Sequence, residues 1–149
     1  MSAQRKPAPK GSAPVVWSVA TWLDQIPPVL DAVGLTCSPQ QRQQLAAYMG
    51  MLQQWNGTYN LTALRDPQDM LSHHLADCLV VVAPMLKHLG LTWDQAQATD
   101  QAPIAVVDVG SGGGLPGVVL AILCPALRVT CVDTVGKKAA FVRQVAAEV

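Results

Sequence analysis

A chain of 149 residues is about the size of one domain, and ten Lys plus Arg against ten Asp plus Glu leave it with no net charge. Half of the residues are apolar and only 13% are charged, which excludes global disorder and argues against a uniformly basic surface coating nucleic acid. The charge is unevenly placed, however, since residues 1 to 10 carry +3, residues 11 to 100 carry −4 and residues 101 to 149 carry +1.

Residues 1 to 14, rich in Ala, Pro, Ser and Lys, are expected to form a flexible basic tail. Arg5, Lys6 and Lys10 before the apolar run Val15 to Leu23 resemble the start of a signal peptide. That run is short, contains Ser18 and Thr21, and meets no small-x-small cleavage site before Asp24. No run of about 20 apolar residues suggests a membrane span.

Residues 15 to 87 are expected to be helical. A first helix runs from about Trp17 to Val33, interrupted by Pro27-Pro28 and ended by Gly34. Ser38-Pro39-Gln40-Gln41 has a cap, a proline in the first turn and an amide three residues after the cap, a helix start. Leu45, Tyr48, Met49, Leu52 and Trp55 then share one face at 100° per residue, and Gly57 closes the helix. Asp66-Pro67 begins a third helix, with Leu71, Leu75, Cys78, Val82 and Met85 as its apolar stripe. The polar stretch 88 to 103 is expected to be a loop or linker.

From Ile104 the pattern changes. Ile104-Ala-Val-Val-Asp-Val109 is a continuous apolar run suited to a strand buried on both faces. A glycine-rich turn follows, then a short helix from about Pro116 to Leu123, a second strand over Arg128 to Val132, and an amphipathic helix from Gly136 to Val149. The unit is β-α-β-α, and the crossover makes its strands parallel. Cys37, Cys78, Cys124 and Cys131 form no C-x-x-C pair and lie in or beside apolar segments, the pattern of free thiols in a reducing cytoplasm.

The turn Asp108-Val-Gly-Ser-Gly-Gly-Gly-Leu-Pro-Gly117 carries the chemistry. Its glycines permit positive φ and close approach of a ligand, and the helix behind it offers unpaired N–H groups. Asp133, after the second strand, lies beside this turn in a parallel sheet, where a carboxylate accepts both hydroxyls of a ribose. Gly112-x-Gly114-x-x-Gly117 also satisfies the dinucleotide fingerprint, which leaves a nicotinamide-dependent oxidoreductase as an alternative. Asp108, ahead of the glycines, favours the other reading, because it repels a pyrophosphate and suits a ligand bearing an ammonium and a sulfonium. The order Asp-x-Gly-x-Gly-x-Gly with a second acid after the next strand resembles the S-adenosylmethionine site of Rossmann-like class I methyltransferases.

A narrower resemblance rests on Trp55-Asn-Gly-Thr-Tyr-Asn-Leu-Thr62, Arg65-Asp66-Pro67, His74 with Asp77, Asp108 through Gly117, and Gly136-Lys137-Lys138 with Phe141 and Arg143-Gln144-Val145. Together they resemble the glucose-inhibited division protein B family, the bacterial 16S ribosomal RNA guanine-N7 methyltransferases, over residues 30 to 149 apart from 88 to 103. The resemblance implies that Gly110 and Leu115 touch S-adenosyl-L-methionine, that Gly112 and Gly114 shape the turn, and that Asp108 lies near the methionine part and Asp133 at the ribose. It implies methyl transfer to guanine N7, whose free lone pair needs no general base, so no catalytic residue is named.

Lys137, Lys138, Arg65 and His74 are candidates for contact with the RNA, with Arg143 on a solvated face. His73, His74 and Asp77 share one helical turn, and the favoured reading has Asp77 fixing the tautomer of His74 rather than a metal site. Trp17, Trp22 and Trp55 are read as packing. The family's sheet has seven strands and residues 104 to 149 supply two, so the expectation is an incomplete S-adenosylmethionine-binding region and a truncated copy with little transfer alone. The expected state is a cytoplasmic monomer meeting the small ribosomal subunit, with a noncatalytic RNA-binding remnant as a further alternative.

Overall fold

The computed structural model describes residues 13–149, and the basic tail expected at 1 to 14 lies outside them except for its last two positions. Helix α1 (Val19–Ala32) begins at Ser18, whose hydroxyl accepts the Thr21 N–H at 3.1 Å, and buries Trp22, Ile26 and Leu30 at four-residue spacing. It is not interrupted at Pro27-Pro28. The carbonyls that lose their donors belong to Leu23 and Asp24, one turn earlier. Asp24 is exposed and Leu23 half-buried, so water can replace the missing bonds there.

Helix α2 (Pro39–Tyr59) starts as its sequence indicates. Ser38 Oγ accepts the Gln41 N–H at 3.1 Å and Gln41 Oε1 accepts the Ser38 N–H at 2.9 Å. It passes through Gly57, the expected end, and stops at Asn60, which is left-handed at φ 51°. The side chain of Asn56 explains where it stops. This buried amide donates to Leu64 O at 2.7 Å and accepts the Thr62 N–H at 2.8 Å, folding the chain back after the helix.

Asp66 then accepts the N–H groups of Gln68 and Asp69 and starts a helical run made of α3 (Pro67–Asp69), a π-helical segment (Met70–Leu75) and α4 (Ala76–Leu89). The run of 23 residues has a mean hydropathy of 1.2 over its most apolar window, enough by length and composition to cross a membrane. Here it behaves as a core helix, because Met70, Leu71, Leu75, Cys78, Leu79, Val82 and Leu86 are all buried against the rest of the chain.

The stretch expected as a loop contains α5 (Trp93–Gln97), opened by a reciprocal cap in which Thr92 Oγ1 accepts the Gln95 N–H at 3.2 Å and Gln95 Oε1 accepts the Thr92 N–H at 2.8 Å. Ala96 is buried, and its carbonyl accepts the Ala126 N–H at 3.0 Å. The segment is therefore docked on the crossover rather than spanning open solvent.

Strands β1 (Ile104–Val109) and β2 (Leu127–Val132) pair in parallel with Asp108 opposite Cys131, and α6 (Gly117–Leu123) and α7 (Gly136–Glu148) complete the expected β-α-β-α part of a Rossmann-like α/β sheet. Burial alternates along both strands, so only one face is covered. Val107 is 60% exposed, Val109 80% and Val132 45%. The expectation of burial on both faces therefore fails in this chain, since the helices it supplies cover only one. One core cluster joins Trp22, Tyr48, Leu52, Leu79 and Val82 to Leu123, Phe141 and Val145, so the helices and the sheet unit share an interior. All four cysteines are free, with Cys78 and Cys124 buried and Cys37 and Cys131 half-buried.

Candidate functional site

The turn between β1 and α6 holds the candidate residues together. Gly110, Gly112 and Gly114 have φ of 78°, 56° and 89°, the left-handed region that a side chain resists. At Gly110 and Gly112 a Cβ would meet nothing within 4 Å, so their upper side is open to a ligand, whereas at Gly114 it would lie 2.5 Å from Val118. The Gly110 and Ser111 N–H groups donate to Val132 O at 2.7 and 3.1 Å, which ties the turn to the end of β2. Leu115, half-buried, precedes Pro116 through a cis peptide bond.

The two aspartates grip opposite ends of this turn. Asp133 Oδ2 accepts the Gly112 N–H at 2.9 Å, and Oδ1 accepts the Val135 N–H at 2.8 Å. These two bonds, Val135 first, hold the Asp133 carboxyl below its ordinary range against a small opposing effect of desolvation, with help from nearby Lys138. Each oxygen retains a lone pair for a hydroxyl. Asp108 Oδ2 accepts the Gly117 N–H at 2.9 Å, so it satisfies the first N–H of α6, and Gly114 O accepts the next, from Val118, at 2.7 Å. The helix N–H groups expected to face a ligand are thus largely occupied from within. Gly117 itself is required by closeness, because a Cβ there would stand 2.5 Å from Cys131 Sγ and 2.7 Å from Asp108 Oδ2.

The basic candidates divide. Lys137 stands 5.8 Å from the centre of the Tyr59 ring, and Arg65 Nη2 donates to the side chain of Asn60. Lys137 and Arg65 are therefore both held at the C-terminal end of α2, where positive charge also complements the helix dipole. Lys138 is the neighbour of Asp133. His74 has its Nε2 bonded to Thr62 Oγ1. Thr62, and not Asp77, is its partner. Burial lowers the affinity of His74 for a proton, with Asp77 opposing and His73 adding to that effect.

The family model described as rRNA small subunit methyltransferase G matches residues 41–149 of this chain. The chain belongs to that family. It is 56% identical over 117 residues to the "Ribosomal RNA small subunit methyltransferase G" of Paracidovorax citrulli, covering 78% of this chain and 48% of that protein. It is 53% identical to the protein of the same name from Leptothrix cholodnii, covering 78% and 49%, and 52% identical to that from Bordetella avium, covering 77% and 47%. The chain spans about half the length of the curated relatives it matches.

In this chain the six cofactor candidates Asp108, Gly110, Gly112, Gly114, Leu115 and Asp133 all fall on one turn or its two flanking strand ends. The residues beneath the turn were not marked by motif. Tyr48, assigned to the core by its place on a helical face, donates its hydroxyl proton to Gly113 O at 2.7 Å. Its wholly polar role at one atom is invisible in an apolar stripe. A groove of about 620 Å³ between α2, α6, β2 and α7 reaches Gly117 at the end of the turn, and none of the six candidates lines it. Its walls, including Gln41, Gln97, Ile122 and Val145, carry no Asp, Glu, Lys or Arg side chain.

Proposed function

We propose that the chain provides the cofactor cradle of an S-adenosylmethionine-dependent methyltransferase acting on N7 of a guanine in 16S ribosomal RNA. The observation that carries the reading is the pair of aspartates bonded to Gly112 and Gly117 at opposite ends of an open glycine turn. The names of the relatives support ribosomal RNA of the small subunit as the substrate. Asp133 would hold the ribose hydroxyls, Gly110 and Leu115 would line the ligand, and the free oxygen of Asp108 would face the amino group of the methionine part. Held by these residues, S-adenosylmethionine would supply an activated methyl group for the lone pair of N7.

N7 carries no proton, so the protein's work is positioning and the exclusion of water. With the turn open above Gly110 and Gly112, the described residues provide little of the second, and slow methyl transfer is expected. Lys137, Lys138, Arg65 and His74 would contribute to the RNA side, in a cytoplasmic monomer engaging the small ribosomal subunit. The nicotinamide reading is not favoured by the family match.

Calorimetry with S-adenosylmethionine and with NAD tests the cradle, and binding of S-adenosylmethionine alone, weakened by Asp133→Ala, is the expected result. NAD binding without S-adenosylmethionine binding would reverse it. Neither cofactor binding, with salt-dependent RNA binding retained, would leave the noncatalytic remnant. Labelled S-adenosylmethionine with small ribosomal subunits tests the rate.

A further inference from the structure

We infer that Tyr48 is a positioning residue for the glycine turn, fixing from α2 the backbone against which the methyl donor lies. The inference rests on the cofactor reading above for its ligand, but its structural half stands on the floor of the turn itself. The Tyr48 hydroxyl donates to Gly113 O at 2.7 Å in a fully buried setting. Burial raises the phenol's pKa well above 10, which keeps it a donor at every working pH. One helical turn on, Leu52 Cδ1 sits 2.8 Å from where a Gly113 Cβ would be, so a second side chain of α2 packs directly on the backbone of the turn.

With the Gly113 carbonyl drawn toward α2, the trans peptide directs the Gly114 N–H the opposite way, and this N–H donates to Ser111 O at 2.8 Å. Ser111 O also accepts the Leu115 N–H at 3.0 Å. The phenol thus fixes one peptide, and that peptide closes the loop containing Gly112 and Gly114. The Tyr48 ring is held independently by Phe141, at 6.3 Å between centroids. Packing and hydrogen bonding can therefore be removed separately.

Tyr48→Phe keeps the ring and deletes the donor, while Phe141→Leu loosens the ring and keeps the donor. Amide exchange in the full 149-residue chain is followed by NMR. For Tyr48→Phe, exchange of the Gly114 and Leu115 amides is expected to accelerate about tenfold, the loss of one net hydrogen bond, with amides of α1 and α4 unchanged. For Phe141→Leu, all of them are expected to accelerate together. Uniform acceleration in both variants, no change at the turn in Tyr48→Phe, or failure of that variant alone to fold would overturn the inference. Calorimetry with S-adenosylmethionine is the second arm, where Tyr48→Phe is expected to bind about tenfold more weakly. If the unaltered chain does not bind S-adenosylmethionine, the cofactor reading fails for this chain, and the exchange data still decide whether Tyr48 sets the turn.

Discussion

At Gly117, the first residue of α6, two side chains converge on one missing atom: the carboxylate of Asp108 and the thiol of Cys131 both crowd the space a Cβ would take. Both side chains stand on paired strand residues, and the carboxylate is held by the Gly117 N–H, so they cannot swing aside as a surface side chain does. Gly117→Ala is expected to cost about 2 kcal/mol, the usual scale of overpacking in a filled interior, read from urea unfolding. His74 makes a separate, pH-dependent contribution. Its folded pKa lies below the ordinary 6.5 because burial disfavours the charged ring, so the unfolded chain takes up the proton first as pH falls. Stability linked to His74 is fully present above about 6.5 and is lost as pH drops toward the folded value. Asp133 acts in a lower window, below its ordinary 3.8. The urea midpoint is expected to fall between pH 7.5 and 5.5, and His74→Gln is expected to flatten that fall.

Helix boundaries show what neighbouring residues can and cannot announce. The starts at Ser38 and Asp66 were legible because the capping side chain and its partner lie within three residues. The start at Thr92 carries the same signal, Thr92 with Gln95, inside a composition that otherwise resembles a loop. Ends were harder. Gly57 does not stop α2, since Asn56 fastens Thr62 and Leu64 from one buried position and moves the left-handed residue to Asn60. A glycine three positions from the end of a helix that continues past it has a plain consequence. Gly57→Ala meets nothing within 4 Å and is expected to stabilise the chain by about 0.5–1 kcal/mol, seen as a higher melting temperature. Nothing in the sequence marks the π-helical turn at Met70–Leu75.

For the molecule as a whole, the sheet unit and its turn were legible, because glycines, a strand-ending acid and apolar runs all lie within 30 residues of one another. The partnership of that turn with α2 was not, since it joins Tyr48 to Gly113 across 65 positions. Nor was the bare face of the sheet, because an apolar strand states that it should be covered but not whether the same chain does so. Val107→Thr with Val109→Thr is expected to change the unfolding free energy by less than about 0.5 kcal/mol, as substitutions at exposed positions do. The same pair should lower the fluorescence of a hydrophobic dye, and a large loss of stability would mean that this face is covered in solution.

Gln41 connects these scales. Its Oε1 begins α2, while its Nε2 donates to Gln97 Oε1 at 2.9 Å and to Ile122 O, at the end of α6, at 3.1 Å. The first turn of one helix and the last turn of another are thereby a single opening and closing unit, even though they lie 81 positions apart. By the rules that govern isolated helices, glutamate would serve this cap as well and suit the dipole better. In this fold it would aim a negative charge at buried carbonyls that have lost their donor. A substitution ranked first by local grammar is the one that the assembled molecule is built to refuse.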